Sequence, residues 1–179
     1  MSTKHICYFL LAVMLIFSGC AAPKKWVSEP EFREADNPFC RIKVSVLPSA
    51  SGTFLNAFEV ELVNKTNAGL IIDWNRSHYL YNGKTAGMFV FKDIQPESIR
   101  DKSVPPDTVL PGSTFTKTIA PYRLVAKAPA REPRKDVTES DFSFGPLPAG
   151  ENGVHLAIRQ NGETSNETIT FTIQEVSAP

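Results

Sequence analysis

The chain has 179 residues, with 19 basic and 19 acidic side chains and a formal net charge of zero at pH 7. Nucleic-acid-binding proteins normally carry a cluster of basic residues, so a balanced chain without such a cluster argues against nucleic acids and against polyanionic substrates. The length fits one domain of ordinary size, which buries roughly two thirds of the surface of its unfolded chain.

The N-terminal residues have the order of an export signal. Lys4 precedes an uninterrupted apolar run of twelve residues, Ile6–Phe17, and the tripeptide Ser18-Gly19-Cys20 follows. The run matches the apolar core of a signal peptide and is shorter than the ~20 residues that a membrane-spanning helix needs. We therefore expect residues 1–19 to be a cleaved signal peptide.

The tetrapeptide Phe17-Ser18-Gly19-Cys20 resembles the lipobox of bacterial lipoproteins, although those families prefer Leu where Phe17 stands. The resemblance implies cleavage before Cys20 and acyl chains such as palmitate on this residue, which anchor the protein in a cell-envelope membrane. Ala21 stands where retention in the inner membrane usually requires Asp, which implies the outer membrane, facing the periplasm. Removing 19 of 179 residues leaves 160, and losing Lys4 leaves 18 basic and 19 acidic side chains, a charge of −1.

Residues 20–39 are predicted to be the lipidated cysteine and a flexible tether. The stretch from Ala21 to Pro38 is polar, contains three prolines and has no hydrophobic period. Such a linker lets a domain stand away from the membrane. The folded domain is then expected to span residues 40–176.

Cys40 is predicted to be the one free thiol, because Cys7 leaves with the signal and Cys20 is modified. An intramolecular disulfide is then excluded. Cys40 opens an alternating apolar segment and is predicted to be buried as a small hydrophobic residue. The alternative, because Arg41 is adjacent, is an exposed thiol that forms an intermolecular disulfide.

Beyond Cys40, apolar and polar residues alternate with the period of half-buried strands. The first two such strands contain Ile42–Val46 and Phe58–Leu62. The turn cluster 64–69 follows, and we expect the second strand to pair across it with the apolar run Leu70–Trp74 as a hairpin with a long loop.

Further strands follow two Asn-Gly turns and a proline-rich middle. Tyr79–Tyr81 leads into Asn82-Gly83, which predicts a type I′ hairpin turn because both residues accept positive φ, and Met88–Phe91 comes next. Phe115–Ile119 is a strand between prolines. A final hairpin is predicted from the alternating segments Val154–Ile158 and Ile169–Ile173, which flank Asn161-Gly162.

Two segments do not fit the strand pattern. Residues 96–102 predict one short helix, with Pro96 at its start. Lys127–Asp141 contains two prolines, four basic and four acidic residues. Because it has almost nothing to bury, we expect a solvated loop.

Short strands at close intervals without crossover helices predict an all-β fold, an antiparallel β-sandwich of seven to nine strands with at most one short helix. We expect an immunoglobulin-like topology, with an open barrel as the alternative. The signature of antibody domains is incomplete, since Trp74 follows Cys40 by 34 residues but no second cysteine comes after it.

The densest group of polar and aromatic residues is the segment 73–79, and Tyr81 follows it. One hypothesis is a patch that binds a saccharide or a peptidoglycan fragment by ring stacking and directional hydrogen bonds. The alternative interpretation is a turn, in which Trp74 is a core residue and Asp73, Asn75 and Ser77 bind the backbone. The possible binding residues of the first hypothesis are Trp74, Asn75, Arg76, Tyr79 and Tyr81.

Two short resemblances fall on the same region. The stretch from Val60 to Ser77 is similar to a recurring pattern in uncharacterised bacterial lipoproteins, a resemblance that implies no activity. Residues 73–77 resemble the extended acceptor sequence of bacterial N-glycosylation, which has an acid two residues before the asparagine and a hydroxyl two residues after it. That resemblance would make Asn75 a modified residue.

The sequence contains no recognisable catalytic or metal-binding constellation. Ser77 and His78 are neighbours and point to opposite faces of a strand, while His155 alternates with apolar residues and is expected to face solvent. Nucleophile-elbow, Ser-x-x-Lys and glycine-rich phosphate motifs are absent. Two mature histidines and one thiol have no metal-ligand spacing; a calcium site in the acidic stretch 132–141 is the alternative. We predict no enzyme activity, no cofactor and no metal.

These observations predict a lipid-anchored envelope protein that acts as a non-enzymatic interaction or assembly module. Its expected partners are the membrane, through the lipid on Cys20, and another envelope protein. The recognition surface would be the loop Lys127–Asp141 or an exposed edge strand, which can add a strand of a partner. The alternative function is small-ligand binding by Trp74, Tyr79 and Tyr81.

Overall fold

The computed structural model describes residues 24–91, 103–127 and 142–177. The predicted signal peptide, Cys20, the helix predicted over 96–102 and all of the predicted loop 127–141 except Lys127 lie outside these ranges. In the part of the chain that is described, no helix is long and apolar enough to cross a membrane.

The described residues form fourteen strands and a 3-10 helix, Tyr122–Leu124. In chain order the strands are β1 (Lys24–Glu29), β2 (Phe32–Asp36), β3 (Cys40–Pro48), β4 (Leu55–Asn64), β5 (Leu70–Ile72), β6 (His78–Tyr81), β7 (Lys84–Thr85), β8 (Phe89–Phe91), β9 (Asp107–Val109), β10 (Thr114–Pro121), β11 (Val125–Lys127), β12 (Phe142–Phe144), β13 (Gly150–Gln160) and β14 (Glu163–Ser177).

The strands form two large sheets. The first sheet has the order β1-β14-β13-β5-β9, with β6 also paired to β13 and β7 to β6. The second sheet has the order β2-β3-β4-β10-β8, and β11 and β12 form a small separate ladder. Every strand pair in the described ranges is antiparallel. The predicted antiparallel sandwich is confirmed.

Seven of the strands follow the order of the predicted immunoglobulin-like topology. Strands β3-β4-β10-β8 correspond to A-B-E-D of an immunoglobulin domain, and β14-β13-β5 correspond to G-F-C. The fourteen strands exceed the predicted seven to nine because β1, β2, β7 and β9 extend the edges of the two sheets, while β11 and β12 form a ladder of their own. Apolar alternation does not reveal the shortest of these strands, since two or three residues are too few to show a period.

The predicted tether is wrong from Lys24 onward. Strand β1 pairs with β14 over six residues, from Lys24 opposite Ser177 to Glu29 opposite Thr172, and β2 pairs with β3. Between these strands the chain passes from the first sheet to the second. Both are mostly polar because they lie at sheet edges, where only Trp26 and Ala35 pack against the core. The sequence pattern therefore resembles a linker.

The hairpin predicted between β4 and β5 is also wrong. Strand β4 pairs with β3 and β10 in the second sheet, whereas β5 pairs with β13 and β9 in the first. The chain between them crosses the sandwich. The Asn64 amide nitrogen secures this crossing by donating hydrogen bonds to the carbonyl oxygens of Ala68 at 2.8 Å and of Val109 and Leu110, both at 3.1 Å.

Both predicted Asn-Gly turns are confirmed. The φ angles are 48° and 71° at Asn82 and Gly83, and 50° and 86° at Asn161 and Gly162. The second turn joins β13 and β14 in the predicted final hairpin. The first returns through the two-residue strand β7, and the chain then crosses to the second sheet to form β8.

The core lies between the two sheets. Phe58, on β4, is fully buried and lies against rings from the opposite sheet, with centroid distances of 6.4 Å to Tyr79 and 6.0 Å to Phe171. The inward residues of the long strands surround this aromatic group; they include Ile42, Val44, Val60, Leu62, Val154, Leu156, Ile158, Ile169 and Ile173.

We expect Phe58→Ala to lower the free energy of unfolding by about 4 kcal/mol, because it removes a ring at the centre of the core and leaves a cavity. Urea denaturation measures the change. Phe32→Ala is the matched control: this ring is 50% exposed and lies under the Lys43 ammonium, so its loss should cost less than about 1 kcal/mol. Equal losses from both variants would contradict the assignment of the core.

Candidate functional site

The segment 73–77 forms a turn that separates β5 from β6. The Asp73 carboxylate accepts a hydrogen bond from the backbone amide of Asn75 at 3.2 Å, and the Asp73 backbone carbonyl accepts one from the Ser77 hydroxyl at 2.8 Å. The Ser77 hydroxyl in turn accepts from the Ala157 amide of β13 at 3.1 Å. These side-chain to backbone bonds replace the strand ladder, as in the turn interpretation of the sequence.

The aromatic residues of the predicted binding patch lie mostly in the core. Trp74 is 2% exposed and Tyr79 is 1% exposed, so the prediction that they present exposed rings is wrong. The Tyr79 hydroxyl donates to the Asn152 side chain at 2.5 Å, and burial raises the pKa of this phenol far above its ordinary value. Tyr81 is half-buried, and its hydroxyl donates to the Ala149 carbonyl at 2.9 Å.

Asn75 and Arg76 are the exposed members of the predicted patch. The Asn75 side-chain amide donates to the Val104 carbonyl at 2.8 Å and accepts from the Val104 amide at 2.8 Å. Its nitrogen, the atom that N-glycosylation modifies, therefore supports the packing of residue 104 against the turn. The five predicted residues do not converge on one solvent-facing surface.

Trp74 belongs instead to a contact between the sheets, which we call the Trp74 clamp: Trp74, Phe91, Asp107 and Lys117. The Asp107 carboxylate, on β9 of the first sheet, accepts from the Trp74 indole at 2.7 Å and from the Lys117 ammonium at 2.5 Å. Trp74 and Phe91 meet edge to face, with centroids 4.9 Å apart. Since Phe91 and Lys117 belong to the second sheet, the clamp joins both layers.

The Lys117 ammonium also lies over aromatic rings, 4.1 Å from the centroid of Phe91 and 5.5 Å from that of Trp74. Cation–π contacts of this kind add to the attraction between ammonium and carboxylate. The sequence analysis missed this group. Lys117 shares the inward face of β10 with Phe115 and Ile119. A lysine at an inward position of an alternating strand is the feature of the sequence that could have indicated this group.

Four loops meet at the end of the sandwich away from Lys24, and we call them the distal loop cluster: residues 37–39, 64–69, 110–113 and 161–162. The Lys65 ammonium contacts the Asp36 carboxylate at 2.8 Å and the Asn37 carbonyl at 2.6 Å. The hydrogen bond from Lys65 to the Asp36 carboxylate lowers the pKa of Asp36. Gln160, next to the 161–162 turn, donates to the Thr66 hydroxyl at 2.6 Å. Side-chain bonds therefore fix the loops relative to one another.

Cys40 lies beneath this cluster, and its predicted burial is confirmed at 0% exposure, as a free thiol. Its sulfur is 3.6 Å from the Asn37 side-chain oxygen, and burial raises the pKa of the thiol to about 11. Cys40 also lines a pocket of about 40 Å³ with Phe39, Leu70 and Ile158. Ligand sites are roughly 300–1,000 Å³, so this pocket has room for little more than water.

The two histidines lie opposite each other on the outer face of the first sheet. His78 on β6 pairs with His155 on β13, their ring centroids are 6.3 Å apart, and the His155 Nδ1 is 2.9 Å from the Thr168 hydroxyl. Partial burial, and then the neighbouring His78, lower the pKa of His155. In the described ranges neither histidine is hydrogen-bonded or ion-paired to a carboxylate, and no three His, Cys, Asp or Glu side chains form a metal-binding group.

Comparison with protein-family models, with curated proteins and with solved structures gave no match to the chain.

We expect Asp107→Ala to lower the free energy of unfolding by about 2 kcal/mol, because it removes two hydrogen bonds to a charged group and leaves the Trp74 indole without an acceptor. Thermal or urea denaturation measures the loss. Glu175→Ala is the control, since its pair with Lys24 is 3.0 Å long but 37% and 65% exposed, and such surface pairs contribute about 0–1 kcal/mol. A similar small effect in both variants would show that the clamp does not hold the sheets.

The Cys40 thiol should not react with iodoacetamide at pH 8 while the protein is folded, because it is buried and its pKa of about 11 keeps it protonated. Intact mass before and after addition of urea, in a variant with Cys20→Ser, tests this. Full alkylation is expected only in the unfolded protein. Rapid modification of the native protein, or a disulfide-linked dimer, would favour the exposed-thiol alternative instead.

Proposed function

We propose that the protein is a lipid-anchored lipoprotein of the bacterial cell envelope, that it faces the periplasm from the outer membrane, and that it acts as a non-enzymatic interaction module. The anchor rests on the lipobox resemblance that ends at Cys20. The interaction role rests on one structural observation: the distal loop cluster is held together by hydrogen bonds and is presented at the end opposite Lys24.

The short distance between Cys20 and the fold supports a defined orientation. Strand β1 begins four residues after Cys20, and four extended residues span at most about 14 Å. With Cys20 acylated, the end of the sandwich that contains Lys24 and Ser177 therefore faces the membrane. Strand β14 has fifteen residues and extends about 45 Å, so the turn at Asn161-Gly162 points away from the membrane.

The composition of the distal loop cluster supports recognition of another protein. Leu110 is 66% exposed beside polar loops, and an exposed apolar residue within a polar rim is typical of the contact regions of proteins. Because the backbone of these loops is already fixed by Asn64 and Lys65, binding would require little ordering of the chain.

The small-ligand alternative has less support. It requires Trp74, Tyr79 and Tyr81 in contact with solvent, and the first two are buried. A hydrolase of the Ser-His-Asp kind would need a histidine hydrogen-bonded to a carboxylate, whereas in the described ranges the recorded contacts of His78 and His155 are to each other and to Thr168. A non-enzymatic role is therefore the proposal that the geometry supports best.

Intact mass spectrometry of the protein from host membranes tests the anchor. We expect a chain that starts at Cys20 with added acyl mass, and an unacylated Cys20→Ala variant that no longer partitions with the outer membrane. The control is Cys40→Ala, which should retain both the acyl mass and the membrane location. An unacylated wild-type protein would contradict the proposal.

Site-specific photo-crosslinking in the host envelope tests the interaction. Probes at Asn67 and Leu110 should give one common crosslinked species, identified by its mass, that a probe at Thr172 on the outer face of the first sheet does not give. Leu110→Asp should reduce this species several-fold in the Asn67 probe strain. The same species from Thr172, or its persistence in Leu110→Asp, would exclude the distal loop cluster as the recognition surface.

A further inference from the structure

The outer face of the first sheet carries a pair of imidazoles in a position to share a ligand. His78 and His155 lie directly opposite each other in the antiparallel pairing of β6 and β13. Side chains at such positions have Cβ atoms about 4.5–5.5 Å apart. The two rings are nearly parallel, at 8°, with centroids 6.3 Å apart, and both residues are half-buried.

The neighbours of His155 along its own strand are small residues. Residues two positions before and after His155 share its face of the strand, and they are Gly153 and Ala157. Long side chains from β13 therefore do not cover the rings. Half-exposed imidazoles can rotate about their side-chain bonds toward each other, as a shared ion at about 2.0–2.1 Å from each nitrogen requires.

A hydroxyl group orients one of the two rings. The Thr168 Oγ1 on β14 lies 2.9 Å from the Nδ1 of His155, and Thr168 is opposite His155 in the strand pairing. A histidine that binds a metal generally donates its second ring N–H to an oxygen acceptor, which fixes the ring and the tautomer. When Nδ1–H donates to Thr168, the lone pair of Nε2 is left for a metal ion.

We infer that His78 and His155 form a surface site for a divalent transition-metal ion such as Zn²⁺, with Thr168 as the positioning residue and water in the remaining coordination positions. Imidazole nitrogen is a preferred ligand of Zn²⁺, Cu²⁺ and Ni²⁺ and a poor one for Mg²⁺ and Ca²⁺, which sets the class of ion. The two ligands come from different strands, so the site exists only when the first sheet is folded. This inference does not depend on the lipid anchor or on the interaction role.

Isothermal titration of the purified protein with zinc chloride tests the site. We expect one ion per chain, and a loss of affinity of more than about tenfold in both His78→Ala and His155→Ala, because each removes one of two protein ligands. Histidine side-chain NMR resonances should shift for His78 and His155 together on addition of zinc. Circular dichroism without metal checks that the variants remain folded.

Two threonine variants provide a matched comparison. Thr168→Val should weaken zinc binding by about 10-fold or more, the usual effect of losing a neighbour that orients a ligand. Thr170→Val, at the next outward position of β14 and opposite Gly153, should leave the affinity unchanged. The proposal is overturned if the wild-type protein binds zinc more weakly than about 1 mM, or if either histidine variant, shown to be folded, retains wild-type affinity.

Discussion

The Asp107 carboxylate joins the two layers of the sandwich. Asp107 lies on the first sheet and accepts hydrogen bonds from the Trp74 indole and from the ammonium of Lys117 on the second sheet. Its side chain is 29% exposed and that of Lys117 is 25% exposed, so water screens this pair less than it screens the surface pairs. Because the ammonium also lies over Phe91, the clamp fixes Trp74 in the core and with it the turn that follows β5. The aromatic residues near this turn thereby serve the packing of the sheets.

Two further positions at strand ends are held by buried polar side chains. Asn64 and Asn152 are 1% and 0% exposed. Asn64 binds three carbonyl oxygens at the crossing from β4, and Asn152 binds two carbonyls and the Tyr79 hydroxyl where β13 begins. An unpaired buried amide would cost about 1–3 kcal/mol, so these complete sets of partners specify where each strand leaves its sheet.

The parts of the fold that the sequence predicts are those governed by local patterns. Val154, Leu156 and Ile158 lie on one face of their strand, and Asn161-Gly162 has its own turn geometry, so the final hairpin can be predicted from the local sequence. The partner of β4 depends instead on contacts of Asn64 with residues 45 and 46 positions away, which no local pattern contains. Strand β1, which contains Trp26, is mostly polar because it lies at a sheet edge, so its sequence does not show the alternation of a half-buried strand. The turn at Asp73 can be predicted from its residue types. The pairing of Lys117 with Asp107 cannot, because it depends on how the two sheets pack.

The same use of side chains limits which residues are left at the surface for the proposed interaction. Trp74 and Tyr79 are buried in the core, so their rings contribute little to the surface of the protein. Edge strand β1 pairs with β14 along one side over its full length, and the chain then changes sheet. Loops fixed by side-chain hydrogen bonds, as at Lys65 and Thr66, combine exposure with a defined backbone. Under the proposed lipid anchor on Cys20, these loops would lie at the end of the sandwich away from the membrane, because strand β1 begins only four positions after Cys20. Strand β1, which resembles a linker in the sequence, would then be the element that orients the distal loop cluster.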